Sequence, residues 1–245
     1  MKRVIKLFVF CTLFFSSLTI IAQNSCGTVK DYDGNTYKTV QIGRQCWMAE
    51  NLRTIHYANG DAIGAGDIAT YSSSSPYCYK FKNLKGLLYN WPAVMNYQAS
   101  SLKNPSGVQG VCPDGWHVPS YTEWQSLIMY IGDQSPYFCD REYWTAKSLA
   151  SKTGWEKSDK PCAVGNNQSK NNATGFNAYP TGYCYFTGLS VSWEDEKYGA
   201  YFWTSTKSNE KEDFAYTFWL SHKRPDEKFY GYYKSAGLSV RCVRD

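Results

Sequence analysis

The sequence predicts a loop-rich α+β domain, with short antiparallel strands and one or two helices, that is braced by disulfides. Three observations support this prediction. The chain contains nine Trp and 21 Tyr among its 245 residues, so rings rather than aliphatic helices supply the core. Eight of its nine cysteines lie after residue 22, and an even set in an exported chain indicates disulfides. Short apolar stretches alternate with turn residues, and one segment has a strong helical pattern.

Residues 1–22 have the layout of a secretory signal peptide. Three cationic residues precede an apolar run, and the small residue Ala22 stands before the expected cleavage site. The alternative is a membrane anchor, but the apolar run is about 15 residues, short of the roughly 20 that a membrane span needs. We therefore expect cleavage before Gln23 and a single domain over residues 23–245 without a transmembrane anchor. The product would be periplasmic, exposed at the cell surface or secreted.

The charge balance of the mature chain argues against a nucleic-acid partner. Cleavage removes three of the 26 Lys and Arg residues, which leaves 23 against 21 acidic residues and a net charge of +2. This charge is too small and too dispersed for a nucleic-acid footprint. The sequence has no Gly-rich phosphate loop, no His-Glu-x-x-His and no Gly-x-Ser-x-Gly, so we expect no cofactor. The oligomeric state is left open.

Eight cysteines remain after the signal peptide is removed. They are Cys26, Cys46, Cys78, Cys112, Cys139, Cys162, Cys184 and Cys242. The set is even, which predicts disulfides, but eight cysteines allow many pairings and the sequence does not choose among them. Zinc is the alternative use of such residues. The chain has no Cys-x-x-Cys and its cysteines are scattered, so we expect no metal site.

The first element predicted in the mature chain is a hairpin. Asp33-Gly34 is a strong turn signal, residues 37–42 alternate so that one face carries Val40 and Ile42, and residues 46–48 return as the partner strand. The Asp-x-Asp-Gly-Asn run also resembles the start of a calcium loop. Such a loop needs Glu at its twelfth position, where this chain has Ile42, so the hairpin is favoured.

The strongest local prediction is a helix over Tyr121–Ile131. Ser120 is a natural N-cap, and Glu123 three residues later completes a capping box. Apolar residues at i, i+3, i+4 and i+7 from Trp124 form one face, which we expect to be core. Gly132 is expected to end the helix. A second, weaker helix is predicted over residues 142–151.

Further along the chain the patterns predict one long loop and three strands. Residues 160–174 are rich in Asn, Lys and Gly, which predicts a surface loop pinned by Cys162. Residues 199–206 and 214–220 predict two buried strands, and residues 238–243 predict a closing strand.

Seven short motifs occur in order along nearly the whole mature chain. They are Asp33-Gly-Asn-x-Tyr37, Gly43-x-Gln-x-Trp-Met-Ala-Glu-Asn-Leu52, Gly86-x-Leu-Tyr-Asn-Trp91, Cys112-Pro-x-Gly-Trp-His-Val-Pro-Ser120 with Glu123-Trp124, Gly175-Phe-x-Ala-x-Pro-x-Gly-Tyr183, Phe202-Trp-x-Ser-Thr206 and Gly237-Leu-Ser-Val-Arg-Cys-Val243. Each motif alone is weak, but seven in register are specific. On these motifs the chain resembles the Fibrobacter succinogenes major paralogous domain family.

The resemblance implies a C-type-lectin-like core. Residues 112–124 also resemble the formylglycine-generating-enzyme group, which has such a core. In lectin-like folds a cysteine near the first helix bridges to the last strand, which implies a Cys112–Cys242 bridge. Cys139 with Cys162 is the most local pairing across the second predicted helix. The close cysteine pair of the enzyme group and the Glu-Pro-Asn and Trp-Asn-Asp motifs of calcium-dependent lectins are absent, so neither chemistry is implied here.

Catalytic candidates are few. Glycoside hydrolysis needs two carboxylates on either side of the scissile bond, and Glu50 with Asp114 or Glu123 are candidate pairs, but nothing in the sequence sets their separation. Glu123 already has a capping role. His117 is expected to be half-buried and hydrogen-bonded to backbone. A glycan-active hydrolase is therefore kept as an alternative, and whether the protein is an enzyme stays open.

Tyrosines in polar or loop contexts are better candidates for a binding surface, because flat rings with hydroxyl tips bind glycans and proteins well. They are Tyr71, Tyr77, Tyr79, Tyr137, Tyr143, Tyr198, Tyr230, Tyr232 and Tyr233. We select Tyr77, Tyr79, Tyr198, Tyr230 and Tyr232 as candidate ligand contacts; the alternative is that many of these rings are core. The sequence favours an exported, non-catalytic module that binds a glycan or a surface protein, with a structural subunit of a surface assembly as a further hypothesis.

Overall fold

The computed structural model describes residues 25–65, 75–79, 85–134, 139, 145–188 and 190–245. The helices are α1 Trp91–Met95, α2 Tyr121–Gly132 and α3 Ala146–Leu149, with a 3-10 turn at Gln168–Lys170. The strands are β1 Thr28–Lys30, β2 Thr36–Ile42, β3 Gln45–Met48, β4 Gly64–Ala65, β5 Tyr77–Tyr79, β6 Leu88–Tyr89, β7 Trp116–His117, β8 Tyr183–Phe186, β9 Val191–Glu194, β10 Gly199–Lys207, β11 Phe214–Ser221, β12 Lys228–Tyr233 and β13 Val243–Arg244. Many short strands and few helices agree with a loop-rich α+β fold. Within these ranges no helix has the length and apolarity needed to cross a membrane.

A five-stranded sheet, in the order β1-β2-β3-β13-β7, brings the two ends of the described chain together. Trp47 of β3 pairs with Val40 of β2 on one side and with Val243 of β13 on the other. Val243 in turn pairs with His117 of β7. The predicted hairpin is confirmed, and Val40 and Ile42 are buried as expected.

A three-stranded antiparallel sheet, in the order β10-β11-β12, forms the second half of the core. Phe202, Phe218 and Phe229 are neighbours across its three strands. Because side chains alternate along a strand, the residues next to these three phenylalanines point to the opposite face of the sheet. The predicted strands at 199–206 and 214–220 are confirmed, whereas β12 was not predicted.

Residues 237–239 join three parts of the fold by backbone hydrogen bonds. Leu238 bridges to Tyr89 of β6, Gly237 bridges to Cys184 of β8, and Ser239 bridges to Phe202 of β10. The prediction of one regular closing strand over residues 238–243 is therefore wrong. Only Val243–Arg244 forms a regular strand, because the residues before it change partner at almost every step.

The helix α2 packs its predicted apolar face against a core of stacked rings. Trp124 is fully buried; its ring lies 4.3 Å from that of Phe218 in a stacked arrangement and 4.6 Å from that of Trp47. Phe176 meets Trp124 edge to face at 5.7 Å. Each such ring buries about 150–250 Å², so a few of them supply a large share of the hydrophobic stabilisation.

The capping box of α2 is present as predicted. The backbone N–H of Glu123 donates to Ser120 Oγ at 3.2 Å, and the backbone N–H of Ser120 donates to Glu123 Oε2 at 2.9 Å. The second predicted helix is shorter than expected. Its regular part is the four residues of α3, and residues 140–144 lie outside the described residues.

Three disulfides connect the described residues, and two cysteines are free. The bridges are Cys26–Cys46, Cys112–Cys242 and Cys139–Cys162, of which the last two are the pairs named from the sequence. Cys78 and Cys184 are buried thiols, so the expectation that an even set is fully paired is wrong. The reason is topological: β6 and residues 237–239 lie between β5, which carries Cys78, and β8, which carries Cys184.

The segment 160–174 is not simply a surface loop, because its middle is built into the core. Val164 is fully buried, and the ammonium of the buried Lys147 donates hydrogen bonds to the carbonyl oxygens of Ala163 and Asn166. Its polar side chains, which predicted exposure, also form internal hydrogen bonds: the buried Asn171 Nδ2 donates to the carbonyl oxygens of Ser151 at 2.9 Å and Val164 at 3.1 Å.

Candidate functional site

A cluster of aromatic rings lies on one face of the β10-β11-β12 sheet, extends onto the neighbouring strand β8 and reaches the surface at Tyr233, the last residue of β12. This cluster, the tyrosine platform, consists of Tyr183, Tyr185, Tyr201, Trp219, Tyr230, Tyr232 and Tyr233. Neighbouring rings are spaced as stacked and edge-to-face aromatic pairs are, from 5.0 Å for Tyr183 and Tyr201 to 6.5 Å for Tyr201 and Tyr230. The platform is therefore a continuous patch of rings rather than a set of isolated tyrosines.

Strand register places these rings side by side. Tyr201 of β10 is the direct partner of Trp219 of β11, and their rings stack at 6.0 Å. Tyr230 and Tyr232 are two residues apart on β12 and so share a face. The strand β8 then adds Tyr183, whose ring lies 5.2 Å from that of Tyr232.

The platform has a buried base and an exposed rim. Tyr201 at the base is buried, and its hydroxyl donates a hydrogen bond to the carboxylate of Asp195. At the rim, Tyr185 is 38% and Tyr233 is 54% exposed. Burial is the main cause that raises the pKa of four platform phenols, namely Tyr183, Tyr201, Tyr230 and Tyr232. These hydroxyls are therefore neutral at physiological pH and act as hydrogen-bonding groups, not as charges.

A cavity of about 400 Å³ opens on the rim of the platform. It is lined by Tyr183, Tyr185, Phe186, Tyr232, Tyr233, Ser235 and Ala236. Five of these seven residues are rings, the other two are small, and none is charged. A lining of this kind suits a neutral ligand that offers flat apolar faces and hydroxyl groups.

The structure brings together two of the five tyrosines selected from the sequence. Tyr230 and Tyr232 belong to the platform. Tyr79 is only 3% exposed and packs with Leu88 and Cys184, so it is a core residue and not a surface contact; Tyr77 is half-buried against the same cluster. Tyr198 is exposed, but its ring packs on that of His222 at 5.0 Å. It does not line the platform cavity.

Sequence reasoning missed the platform residues on β8 and at the sheet's centre. Tyr183 and Tyr185 have the same two-residue spacing as Tyr230 and Tyr232, which is the signal that could have marked both pairs as strand faces. Trp219 was placed in a buried strand, and nothing local indicated that its ring would lie beside Tyr201. Three further tyrosines named from the sequence, at positions 71, 137 and 143, lie outside the described residues.

A second cavity, of about 620 Å³, contains the only histidine that lies between two carboxylates in the described part of the chain. His117 Nε2 lies 2.7 Å from Glu123 Oε1, and its Nδ1 lies 2.6 Å from Asp245 Oδ1. The prediction that His117 bonds to backbone is therefore wrong. Burial lowers the pKa of His117, but the hydrogen bonds and charges of the two carboxylates outweigh it, so the pKa is raised above its ordinary value.

The carboxylates named as hydrolase candidates are not brought together. Both oxygens of Glu123 are occupied, since Oε2 accepts from the backbone N–H groups of Ser106 and Ser120 while Oε1 faces His117. Glu50 lines two other cavities, neither of which contains Glu123 or Asp114. Within the described ranges no group of three His, Cys, Asp or Glu side chains could hold a metal ion.

A comparison with family models identifies the chain. The model described as the Fibrobacter succinogenes major domain matches residues 40–244, which is most of the sequence. The chain belongs to the Fibrobacter succinogenes major domain family. Comparisons with curated proteins and with solved structures each give no match.

The motifs that carry the Fibrobacter succinogenes major domain resemblance contact one another inside the protein. The indole N–H of Trp203 donates to the carbonyl of Tyr89 at 2.7 Å, and that of Trp91 donates to the carbonyl of Thr204 at 2.9 Å. The motif residues thus build the scaffold. Most of the tyrosine platform, including all its residues on β11 and β12, lies outside the seven motifs, so family membership by itself assigns no ligand.

Proposed function

We propose that this protein is an exported, non-catalytic binding module whose tyrosine platform holds a neutral glycan. The observation that carries this proposal is the cavity of about 400 Å³ lined by five rings and no charged side chain. Sugar rings have apolar C–H faces that pack on aromatic rings and hydroxyl edges that hydrogen-bond with phenols. The platform offers both kinds of contact in one place.

The rim of the platform supports a pre-formed site. Tyr183 meets the ring of Tyr232 edge to face at 5.2 Å and stacks on Tyr185 at 6.1 Å. Rings held in this way lose little conformational entropy when a ligand binds, which favours affinity. The cavity volume lies within the range of small-molecule sites in proteins, about 300–1,000 Å³.

We infer export from the signal-peptide pattern of residues 1–22, and the three disulfides support this inference, because disulfides form and persist in oxidising compartments. We propose residues 23–245 as the mature domain, with a C-type-lectin-like core. The Cys112–Cys242 bridge, which ties the residues before the helix to the last strand, supports that core.

The hydrolase alternative is the weaker hypothesis. A general acid needs a carboxyl group that can reach the substrate and hold a proton. Glu123 is buried and its oxygens already accept hydrogen bonds from Ser106, Ser120 and His117, so it is committed to the helix start. Glu50, the other candidate, has neither named partner in its cavities.

The experiment is a screen of neutral and charged oligosaccharides with the purified mature chain, followed by titration calorimetry with the best binder. Tyr185→Ala and Tyr233→Ala each remove an exposed rim ring and are expected to weaken binding about tenfold or more, since a well-packed aromatic contact contributes over 1 kcal/mol. The matched control is Tyr198→Ala, an exposed tyrosine outside the cavity, for which affinity should not change.

Two results would count against the proposal. One is the absence of saturable binding by any glycan to a chain whose near-ultraviolet circular dichroism shows a folded aromatic core. The other is equal loss of affinity in Tyr185→Ala and Tyr198→Ala, which would place the ligand elsewhere. Capture of a surface protein that Tyr233→Ala abolishes, without glycan binding, would reassign the platform to a protein partner and overturn the glycan proposal.

A further inference from the structure

A separate recess of about 380 Å³ opens beside a buried guanidinium and shares no lining residue with the platform cavity. Its charged lining residues are Arg53, Lys85, Arg241 and Glu50. Three cations therefore face one carboxylate, an excess of two positive charges in a concave site. Such an excess attracts anions, because the low-dielectric walls of a concave site focus its field.

Arg241 is almost fully buried and keeps one donor unused. Its Nε donates to Asn51 Oδ1 at 2.7 Å, and its Nη1 donates to the carbonyls of Met48 at 2.9 Å and Phe176 at 2.6 Å. Its Nη2 donates to the carbonyl of Asn177 at 3.0 Å. A guanidinium has five N–H donors, so one N–H on Nη2 has no partner among the described residues. The hydrogen bond from Nη2 is part-buried, whereas the three from Nε and Nη1 are buried.

The other two cations are held by rings rather than by carboxylates. Lys85 Nζ lies 4.6 Å from the centre of the Tyr179 ring, and the guanidinium carbon of Arg53 lies 4.4 Å from that of Tyr37. Arg53 also donates to the carbonyl of Thr36 at 2.8 Å. Neither cation forms an ion pair within the described part of the chain. The ring contacts hold both cationic groups in place, and no carboxylate within the described residues pairs with either of them.

Glu50 is the single anionic group of the recess, and its role is partly structural. Its Oε2 accepts a hydrogen bond from the backbone N–H of Lys38 at 2.9 Å. It lies near enough to favour the charged form of Arg241, but it forms no ion pair with it among the described residues. Because Glu50 is the single carboxylate among three cationic lining residues, the recess keeps a net positive charge.

We propose that this recess binds a small oxyanion, the carboxylate or sulfate group of a ligand. One oxygen would accept the remaining N–H of Arg241, and the others would contact Lys85 and Arg53. Charge-assisted hydrogen bonds of this kind are the strong ones, and a planar guanidinium suits such a group. The site is independent of the tyrosine platform, and each can fail without the other.

The test titrates the mature chain with sodium glucuronate, sodium sulfate and glucose, using calorimetry and the side-chain ¹⁵N–¹H signals of arginine in NMR. Glucose matches glucuronate in size and hydroxyl pattern but lacks the charge. We expect glucuronate or sulfate to bind the recess with a Kd on the order of 1 mM, as for a small ligand of modest efficiency, and glucose not to move the Arg241 signals. The Arg241 signals should move, and affinity should fall as salt rises.

Two charge variants at the recess should change anion affinity in opposite directions. A purely structural role of these residues would not produce that pattern. Lys85→Gln should weaken binding about fivefold or more, whereas Glu50→Gln should strengthen it, because it removes the only negative charge while its amide oxygen can still accept from Lys38. Arg44→Gln, an exposed arginine that lines a different cavity, should leave affinity unchanged. These variants avoid Arg241, whose removal threatens the fold.

The outcomes are distinct. Binding of sulfate alone would identify a sulfate ester as the oxyanion source, and binding of glucuronate would identify a carboxylate; either supports the proposal. The proposal is overturned if neither anion binds, if glucose moves the Arg241 signals as much as glucuronate does, or if Arg44→Gln weakens binding as much as Lys85→Gln. Tyr185→Ala should have no effect, which distinguishes this site from the platform.

Discussion

Arg241 donates a hydrogen bond from Nε to the Oδ1 of Asn51, a residue 190 positions earlier in the chain, at 2.7 Å. The guanidinium also packs over the ring of Phe176 at 4.7 Å. Burial lowers the pKa of Arg241 to about 9, so the group is still charged at neutral pH. A buried charge is tolerated only when its donors are satisfied. Here the partners come from two of the motifs, Gly43–Leu52 and Gly175–Tyr183, while Arg241 belongs to a third. Arg241 therefore holds the segment after β3 and the segment around Phe176 against the C-terminal residues.

Replacing this arginine should destabilise the protein strongly. Arg241→Met keeps most of the side-chain length but leaves Asn51 Oδ1 and three carbonyls, two of them buried, without their donor, which we expect to cost about 3–5 kcal/mol. Arg53→Met, at a half-exposed arginine on the ring of Tyr37, should cost about 1 kcal/mol or less. Urea unfolding of both variants measures the difference. Similar midpoints for the two would contradict the role assigned to Arg241.

The disulfide that closes the longest loop should contribute most to stability. The Cys112–Cys242 bridge has a sequence separation of 130 and the Cys26–Cys46 bridge one of 20. On the chain-entropy model their removal costs about 5 and about 3 kcal/mol respectively. Double Cys→Ala variants, compared by urea unfolding under non-reducing conditions, test this order. A larger loss on removing the shorter loop would show that local packing, not loop closure, dominates.

His117 should make stability depend on pH. Because Glu123 and Asp245 raise its pKa in the folded state, the folded protein binds more protons than the unfolded chain between about pH 6.5 and the folded pKa. The contribution is thus complete below about pH 6.5 and is lost as pH rises through the folded pKa. The difference in unfolding free energy between the native chain and His117→Gln should shrink over that interval.

A conservative change at the exposed partner provides the control for this titration. The Asp245 side chain is 61% exposed, so Asp245→Asn removes one charge from the imidazole with little change in packing. It should lower the folded pKa of His117, followed directly by ring NMR signals, and move the loss of stability to lower pH. An unchanged titration in Asp245→Asn would show that Glu123 alone sets the pKa.

Replacement by alanine should destabilise the protein to different extents at two glycines that both have positive φ. Gly110 has φ +52°, and a Cβ there would lie 2.0 Å from the carbonyl oxygen of Val94, whereas Gly107 has φ +71° and open space around it. Gly107→Ala should cost only the left-handed backbone strain, about 1–2 kcal/mol. Gly110→Ala adds a clash with backbone that cannot rotate away, and we expect a loss above about 3 kcal/mol by urea unfolding. Equal losses would mean that the loop before β7 moves to accommodate the methyl group.

The features that could be predicted are those decided within a few residues. Ser120 and Glu123 are three positions apart, so the capping box and the start of α2 can be read from the sequence. The alternation in residues 37–42 marks a strand face in the same local way. Where local composition misled, as in residues 160–174, the polar side chains satisfied buried partners that only the folded chain provides.

The sequence by itself determined the family, the export pattern, the ring-rich core and the main helix, because each depends on composition, ordered motifs or short-range spacing. Only the tertiary structure decided that Cys78 and Cys184 are free, that Tyr79 is core while Tyr185 is rim, and that Arg53, Lys85 and Arg241 share a recess. These relationships join residues far apart in the chain, and no local period records which strands become neighbours. Both proposed sites therefore depend on the tertiary fold, which brings together side chains that the sequence alone leaves unrelated.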